Sequence, residues 1–373
     1  MLTLGVEEEF LLLEPDGALA PAAPAVVSRA GCAEQIKPEF MAYQVETATT
    51  VVTDLAELRR ELGRLRLIAA DAADRLGVRL VAAGTAPLDT GPPVVVSDLE
   101  RYRELARRFP EAAAHGTACG CHVHIGVPDR ELAAAVLTRM RPWLPALLAL
   151  TVNSPIARGV DTGWASHRYH AQHYWPTFRP PGVWAGAERY DEAVRALVAN
   201  GAAMDPQGIY FLARLSPRFP TIEVRVGDTL LDPLDTVVFA GVVRALVATL
   251  IGDVRGRVKI LPEPDATIRA RLMNAAFGHT DPAALLARIT PELDRAGDTG
   301  EVYAGFERLR RGGTGAQRQR RLWRAYGPTK AFVDALAEAT TPVAAIRQPP
   351  SRRDFCTSNS ESVSTPWALS SPS

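Results

Sequence analysis

"CGCHVHIG", Cys119–Gly126, places two cysteines and two histidines within eight residues, and its reading decides the rest of the chain. In a β-strand, side chains two apart share a face. His122 and His124 then project together, Val123 and Ile125 turn to a core, and Cys119 and Cys121 fall on the face opposite the imidazoles. A closed zinc site needs thiolates and imidazoles around one point, so the two thiols are not counted as ligands. The histidines are what matter.

Three further segments alternate in the same way. In "TLGVEEEFLLL" (3–13) Glu7 and Glu9 share a face, with Val6, Glu8 and Phe10 on the other. "AYQVETAT" (42–49) pairs Gln44 with Glu46, and "TIEVRVGD" (221–228) pairs Glu223 with Arg225. If the four lie in one sheet, a single face gathers Glu7, Glu9, Glu46, His122, His124, Glu223 and Arg225. Such a crowd of acids repels itself unless cations are bound. Carboxylates with one or two imidazoles suit Mg²⁺ or Mn²⁺ better than zinc, and metals held this way can bind nucleotide phosphates and neutralise a transferring phosphoryl group. Arg225, Arg214 in "LARLSPR" and Arg168 in "GWASHRYHAQHYW" are candidate clamps for phosphate or carboxylate.

Plainer readings stand beside these. Glu223 and Arg225, taken alone, read as members of cross-strand ion pairs. His167, His170 and His173 are three apart but have no accompanying carboxylate. Gly312, Gly313 and Gly315 lack the Lys and Ser/Thr of a phosphate loop, and the arginines between 308 and 324 read as a solvated helix face. Asp161 and Ser166 fit a loop-shaping role as well as a functional one.

The chain has 373 residues, 47% of them hydrophobic, and its 42 Lys plus Arg balance 42 Asp plus Glu. That allows a large core and gives no general basic field for nucleic acid. Small molecules are the expected partners, and association into a homo-oligomer is left open. The opening residues show no secretory signal, and the most apolar stretches are broken by proline or Arg244, so a cytoplasmic protein with no membrane span is expected. Helices are predicted over 53–77, capped by Thr53 or Asp54, over "SDLERYRELARRF", over one or two stretches around Pro142 and Pro145, and from Asp232 and Pro233 onward. "VRLVAAGTAP" (78–87) reads as a buried strand. Strands and helices intersperse without a βαβ period, which gives an α+β fold. Residues 1–345 form the expected catalytic domain, and 346–373 a Ser/Pro-rich disordered tail.

The motifs "TLGVEEEFLL", "IKPEFMAYQVETAT", "CGCHVHIGVPD", "NSPIARGVDTGWASHR", "SPRFPTIEVRVGDT" and "GGTGAQRQR" occur in the order of the YbdK-type carboxylate-amine ligases, the second type of bacterial glutamate-cysteine ligase, and the chain resembles that family over residues 2–340. The resemblance implies a glutamine-synthetase-like fold, an antiparallel sheet shaped as a funnel with helices packed outside, holding ATP and divalent metals. It implies phosphorylation of a carboxylate, usually the γ-carboxylate of glutamate, followed by attack of an amine such as that of cysteine on the acyl phosphate. It also implies metal-site roles for Glu7, Glu9, Glu46, His122, His124 and Glu223 and clamping roles for Arg168 and Arg225; with the residue reading above, Arg214 and Arg225 are the expected contacts to the nucleotide phosphates. The chain departs from the pattern at Ala86, where the family's "GTHP" turn has histidine, at Leu212, where it has an acid, and at Ala276, where it has arginine. These departures keep open a catalytically degenerate nucleotide- or metabolite-binding member, and the same carboxylate cluster would also serve a metal-dependent hydrolase that needs no ATP.

Overall fold

The four alternating segments are neighbours in one antiparallel sheet. A computed structural model describes residues 1–88 and 94–341; the expected tail lies outside them. The sheet strands are β1 (Leu4–Leu13), β2 (Ile36–Pro38), β3 (Gln44–Ala48), β4 (Arg79–Val81), β5 (Gly120–Gly126), β6 (Ala213–Leu215) and β7 (Thr221–Asp228). Their spatial order is β2-β3-β1-β5-β7-β6, with β4 taking up the far end of β1. Register sets the site: Glu9 pairs with Glu46, Glu7 with His122, and His124 with Glu223, which in turn faces Arg214. An irregularity in the β5–β7 pairing lies between Cys121 and Val123. Such a bulge increases local twist.

The other face is apolar. Val6, Val123, Ile125, Ile222, Val224 and Val226 are at most 2% exposed and belong to the main core. The Pro233–Arg255 helix starts on the Asp232 side chain, which accepts the Leu234 N–H, and packs against β1, β5 and the outer helices. It is apolar nearly all round because it is covered nearly all round. By length and composition it could cross a membrane, unlike what its Arg244 suggested, but it is mostly buried in the fold. A smaller core joins Phe10, Leu12 and Val45 to Leu65, Ile68 and Ala72 of the Leu55–Asp74 helix. Asp54 caps that helix, accepting from Ala56 N–H and Glu57 N–H at 2.6 and 2.9 Å.

An ion pair sits within the apolar layer. Glu8, between the two site glutamates, is fully buried against the equally buried Arg66, with Nη2–Oε1 at 2.6 Å and Nε–Oε2 at 2.9 Å. Thr236 donates to the same carboxylate at 2.7 Å, and Arg66 also donates to the carbonyls of Leu230, Leu231 and Thr340. The pair thus ties β1 to the Leu55–Asp74 helix, the start of the Pro233–Arg255 helix and the last described helix.

The remaining elements follow the sequence with local adjustments. Helices cover Arg130–Met140 and Leu144–Thr151, joined by a 3₁₀ turn at Arg141–Trp143 where Pro142 interrupts. A further helix covers Glu100–Arg108. β4 is shorter than "VRLVAAGTAP" suggested, because pairing stops after Val81: the Ala82 N–H donates to the Thr340 hydroxyl and its carbonyl accepts from the Asn153 side chain.

Candidate active site

Glu7, Glu9, Glu46, His122, His124, Glu223, Arg214 and Arg225 line one open chamber of about 860 Å³ on the polar face of the sheet. Alternation put all of these except Arg214 on that face. Cys119 and Cys121 are buried in the core behind it.

Two groups of potential metal ligands lie side by side. Glu7, His122 and Glu223 offer atoms within 4.8 Å of one another, and so do Glu9, Glu39 and Glu46. His122 joins them, with Nδ1 3.4 Å from Glu7 and Nε2 3.8 Å from Glu9. His124 Nε2 lies 3.5 Å from Glu7, while its Nδ1 is hydrogen-bonded with Thr221 Oγ1 at 3.0 Å. Glu9 also accepts the Gly120 N–H at 2.5 Å. Glu39 escaped the sequence reading. It follows the short β2, and it reaches the cluster only because β2 pairs with β3, placing Lys37 opposite Glu46.

The charges in the two groups differ. Burial, then the charge of Glu9, pushes Glu39 up to about 7. Burial and the negative Glu7, Glu39 and Glu9 raise Glu46 well above the usual carboxylate range. Burial also opposes ionisation of Glu7 and Glu223, but His124 and His122 outweigh it for Glu7, and Arg214 and Arg225 for Glu223, so both are lowered. His122 is lowered by burial and Arg225. Its Nε2 is buried without a hydrogen-bond partner among the described residues. Carboxylates that resist ionising together, beside such an imidazole nitrogen, are a donor set fit for hard divalent cations.

Glu223 is held between two guanidiniums. Arg214 grips it from β6 at 2.7 and 3.0 Å and spends Nη1 on the carbonyls of Gln207 and Ile209. Most of its donors are therefore engaged inside the protein, where the sequence reading had them reach phosphate. Arg225 pairs with Glu223 from the other side, donates to His122 Nδ1 at 3.3 Å, and lies over the Tyr210 ring.

Arg168 and Arg225 meet in a side pocket of about 70 Å³ that opens past Glu9 and His122 and is walled by Phe40, Trp175, Phe178 and Tyr210. Arg168 comes from a short helix, His167–Ala171, and passes over Gly120, where a Cβ would lie 2.4 Å from its Nη2. It donates weakly to the carbonyls of Val226 and Arg225 at 3.4 and 3.5 Å. Its Nε has no partner among the described residues.

The end of β7 carries a second residue the sequence reading missed. Asp228 is fully buried and accepts from Asn153 N–H at 2.9 Å and from the hydroxyls of Ser154 and Ser166 at 2.7 Å, with Arg168 at 4.0 Å. Ser166 in turn caps the Arg168 helix. "GGTGAQRQR" supports the same loop: Gln319 donates to Asn153, and Arg320 pairs with Asp161 at 2.8 Å. Arg318 pairs with Asp235. This part of the basic stretch is thus internal bracing and not a solvated face. His173 Nδ1 is turned to the Tyr169 carbonyl, and no carboxylate joins His167 and His170 in a ligand group among the described residues. Leu212 and Ala276 are core residues, 1% and 0% exposed.

A sheet of this order with helices outside and a carboxylate-lined chamber inside has the architecture of the glutamine-synthetase-like ligases. The chain belongs to glutamate-cysteine ligase family 2, whose model matches residues 3–335. It is 43% identical over 365 residues to "Putative glutamate--cysteine ligase 2" of Salinispora tropica, covering 92% of this chain and 96% of that one. It is 41% identical over 368 residues to "Putative glutamate--cysteine ligase 2-2" of Mycobacterium sp. (strain KMS), covering 91% and 98%. Among solved structures, the glutamate-cysteine ligase of Francisella tularensis in complex with AMP superposes with a TM-score of 0.68 at 13% identity, over 93% of this chain and 90% of that one. The bifunctional glutathione synthetase of Pasteurella multocida gives 0.72 at 14% identity, over 92% of this chain and 52% of that longer one, so the chain spans about half its length. These two likenesses concern the fold.

Proposed function

We propose that the protein uses ATP to phosphorylate a small carboxylate and joins the resulting acyl group to an amine, releasing ADP and phosphate, with γ-glutamyl transfer to an amine or amino acid such as cysteine as the specific form. The observation that carries this is that the chamber holding two carboxylate-rich ligand groups adjoins the side pocket holding Arg168 and Arg225, with Glu9, His122 and Arg225 lining both. Family membership supports it. In this reading Glu7, His122 and Glu223 would hold one divalent cation and Glu9, Glu39 and Glu46 another, with His124 orienting Glu7. Mg²⁺ or Mn²⁺ there would offset the charge of the ATP phosphates and of the phosphoryl group in flight.

The residues themselves do the positioning. Arg225, braced by Glu223, is set to meet a phosphate oxygen or the acyl phosphate, and Arg168 to hold the carboxylate substrate in the side pocket. Arg214 supports this indirectly, by fixing Glu223. No side-chain nucleophile is required, because the amine attacks the activated carboxyl carbon directly and phosphate leaves. Catalysis then comes from orientation and charge complementarity. The substrates are two small molecules and ATP in the cytoplasm; neither nucleic acid nor membrane enters the reading.

The test is product analysis with ATP, Mg²⁺ and candidate carboxylate–amine pairs. ADP and phosphate formed only with both substrates support the ligase. AMP and pyrophosphate would indicate adenylation, substrate breakdown without ATP a hydrolase, and nucleotide binding without turnover a degenerate member.

A further inference from the structure

Behind the side pocket lies a separate cavity of about 130 Å³, and His115 lines both. Its other walls include Tyr43, Thr85, Ala86, Arg158 and His167, and no Asp or Glu lines it among the described residues. That is the reverse of the chamber in front, which is crowded with acids.

Two of its buried polar atoms are unspent among the described residues. Thr85 is 2% exposed, yet its hydroxyl has no hydrogen-bond partner among the described residues, and neither has the buried Nδ1 of His167. Unpaired buried polar atoms carry a desolvation cost unless a ligand or water takes them up. Burial holds the Tyr43 hydroxyl well above the usual phenol range, so it stays a donor. Arg158 makes no hydrogen bond or ion pair among the described residues and sits at the mouth as an exposed cation. His115 is fixed, with Nδ1 on the Glu111 carbonyl at 2.9 Å and its ring stacked on Tyr174 at 3.8 Å.

We propose that this cavity binds the carboxylate of an amino-acid-sized ligand, through Thr85, His167 and Arg158, with the rest of the ligand directed past His115. Hydroxyl and imidazole groups with no carboxylate beside them among the described residues, together with a cation and apolar walls from Leu19, Leu88 and Ala157, match a carboxylate on a short carbon chain and disfavour its amide, which has no negative charge to offer Arg158. Ala86 is what leaves the space open. The carboxylate belongs either to the amine substrate of the ligase reaction or to a separate effector. The first source rests on the ligase reading; the binding site itself does not.

The experiment is calorimetric titration of nucleotide-free protein with L-cysteine, L-glutamate and glycine, each against its carboxamide. At least one acid should bind about tenfold more tightly than its amide. Thr85→Val, which keeps the shape, and Arg158→Ala, on the surface, should each weaken that acid about tenfold with thermal melts unchanged. Ala86→Leu should fill the cavity and abolish the binding. Equal affinity for every acid and amide, or undiminished binding in Thr85→Val and Ala86→Leu, would overturn the proposal. Steady-state assays then separate the sources. If the carboxylate is the amine substrate's, Thr85→Val raises KM for the amine about tenfold and leaves kcat and the other KM values nearly unchanged. If it is an effector's, all KM values stay and the added acid alters turnover without competing. Should no substrate pair release ADP, the ligase reading fails while the titration still decides the site.

Discussion

Glu9 and Glu46 stand directly opposite each other across the β1–β3 pair. Like charges in that position weaken a sheet, and Glu39 adds a third acid within 4.8 Å. Glu39 and Glu46 are raised above their values in an unfolded chain, so folding favours their protonated forms. The sign follows: in metal-free protein, the stability that these two carboxylates contribute is fully present below the ordinary glutamate range and is lost as pH rises through about 7, where folded Glu39 loses its proton. Thermal melts in chelator should therefore drop between pH 5 and pH 8. Millimolar Mg²⁺ or Mn²⁺ should restore the melting temperature at pH 8 and have little effect at pH 5. A cation effect equal at both pH values would remove these carboxylates from the metal site.

Glu46→Gln separates repulsion from ligation. Without metal the variant should melt no lower than wild type, because one of the three facing acids is neutral. With metal it should gain less, and ADP release should fall about 10²-fold. Wild-type turnover in this variant would show that Glu46 holds no cation.

Glu223→Gln should affect both folding and turnover. Arg214 and Arg225 would each lose a buried charged partner, a change worth about 3–5 kcal/mol when one side of such a pair is removed. ADP release per folded molecule should also fall by orders of magnitude. Arg225→Lys keeps a positive charge but loses the planar fork, so turnover should fall about 10²-fold with only a small change in the melt. If Glu223→Gln lowers the melt alone, the residue is a brace for the arginines and nothing more.

Gly120→Ala tests the approach of Arg168 to the sheet. The added Cβ would stand 2.4 Å from Arg168 Nη2 and 3.0 Å from His122 Nε2. The protein should fold, because the guanidinium can swing away, but turnover should fall more than tenfold through a higher KM for the carboxylate substrate. An unchanged KM would mean that Arg168 does not hold that substrate.

The alternation of β1, β3, β5 and β7 made most of the chamber legible, because a period of two assigns each residue to a face without any tertiary knowledge. What it could not supply was anything that depends on which strands pair and where. Glu39 enters the site through the β2–β3 register, and Asp228 becomes a hub only when two serines from a distant loop close on it. Arg214 looked available for phosphate because its grip on Glu223 depends on β6 lying beside β7. Leu212 and Ala276 invited a functional reading as departures from a pattern, yet both serve packing. The expected boundary of the tail lies outside the described residues.

The three successive glutamates of β1 have unequal fates, Glu7 and Glu9 in the chamber and Glu8 locked to Arg66 behind it. A shift of β1 by one residue would exchange those faces. It would drive Glu7 and Glu9 into the apolar layer, where Arg66 can answer only one of them, and would turn Val6 or Phe10 toward the chamber, so the misaligned strand buries an unpaired charge and exposes an apolar side chain. A sequence that looks too repetitive to fix its own alignment thus carries its alignment check in the middle letter, and the site is assembled correctly only when that letter faces inward.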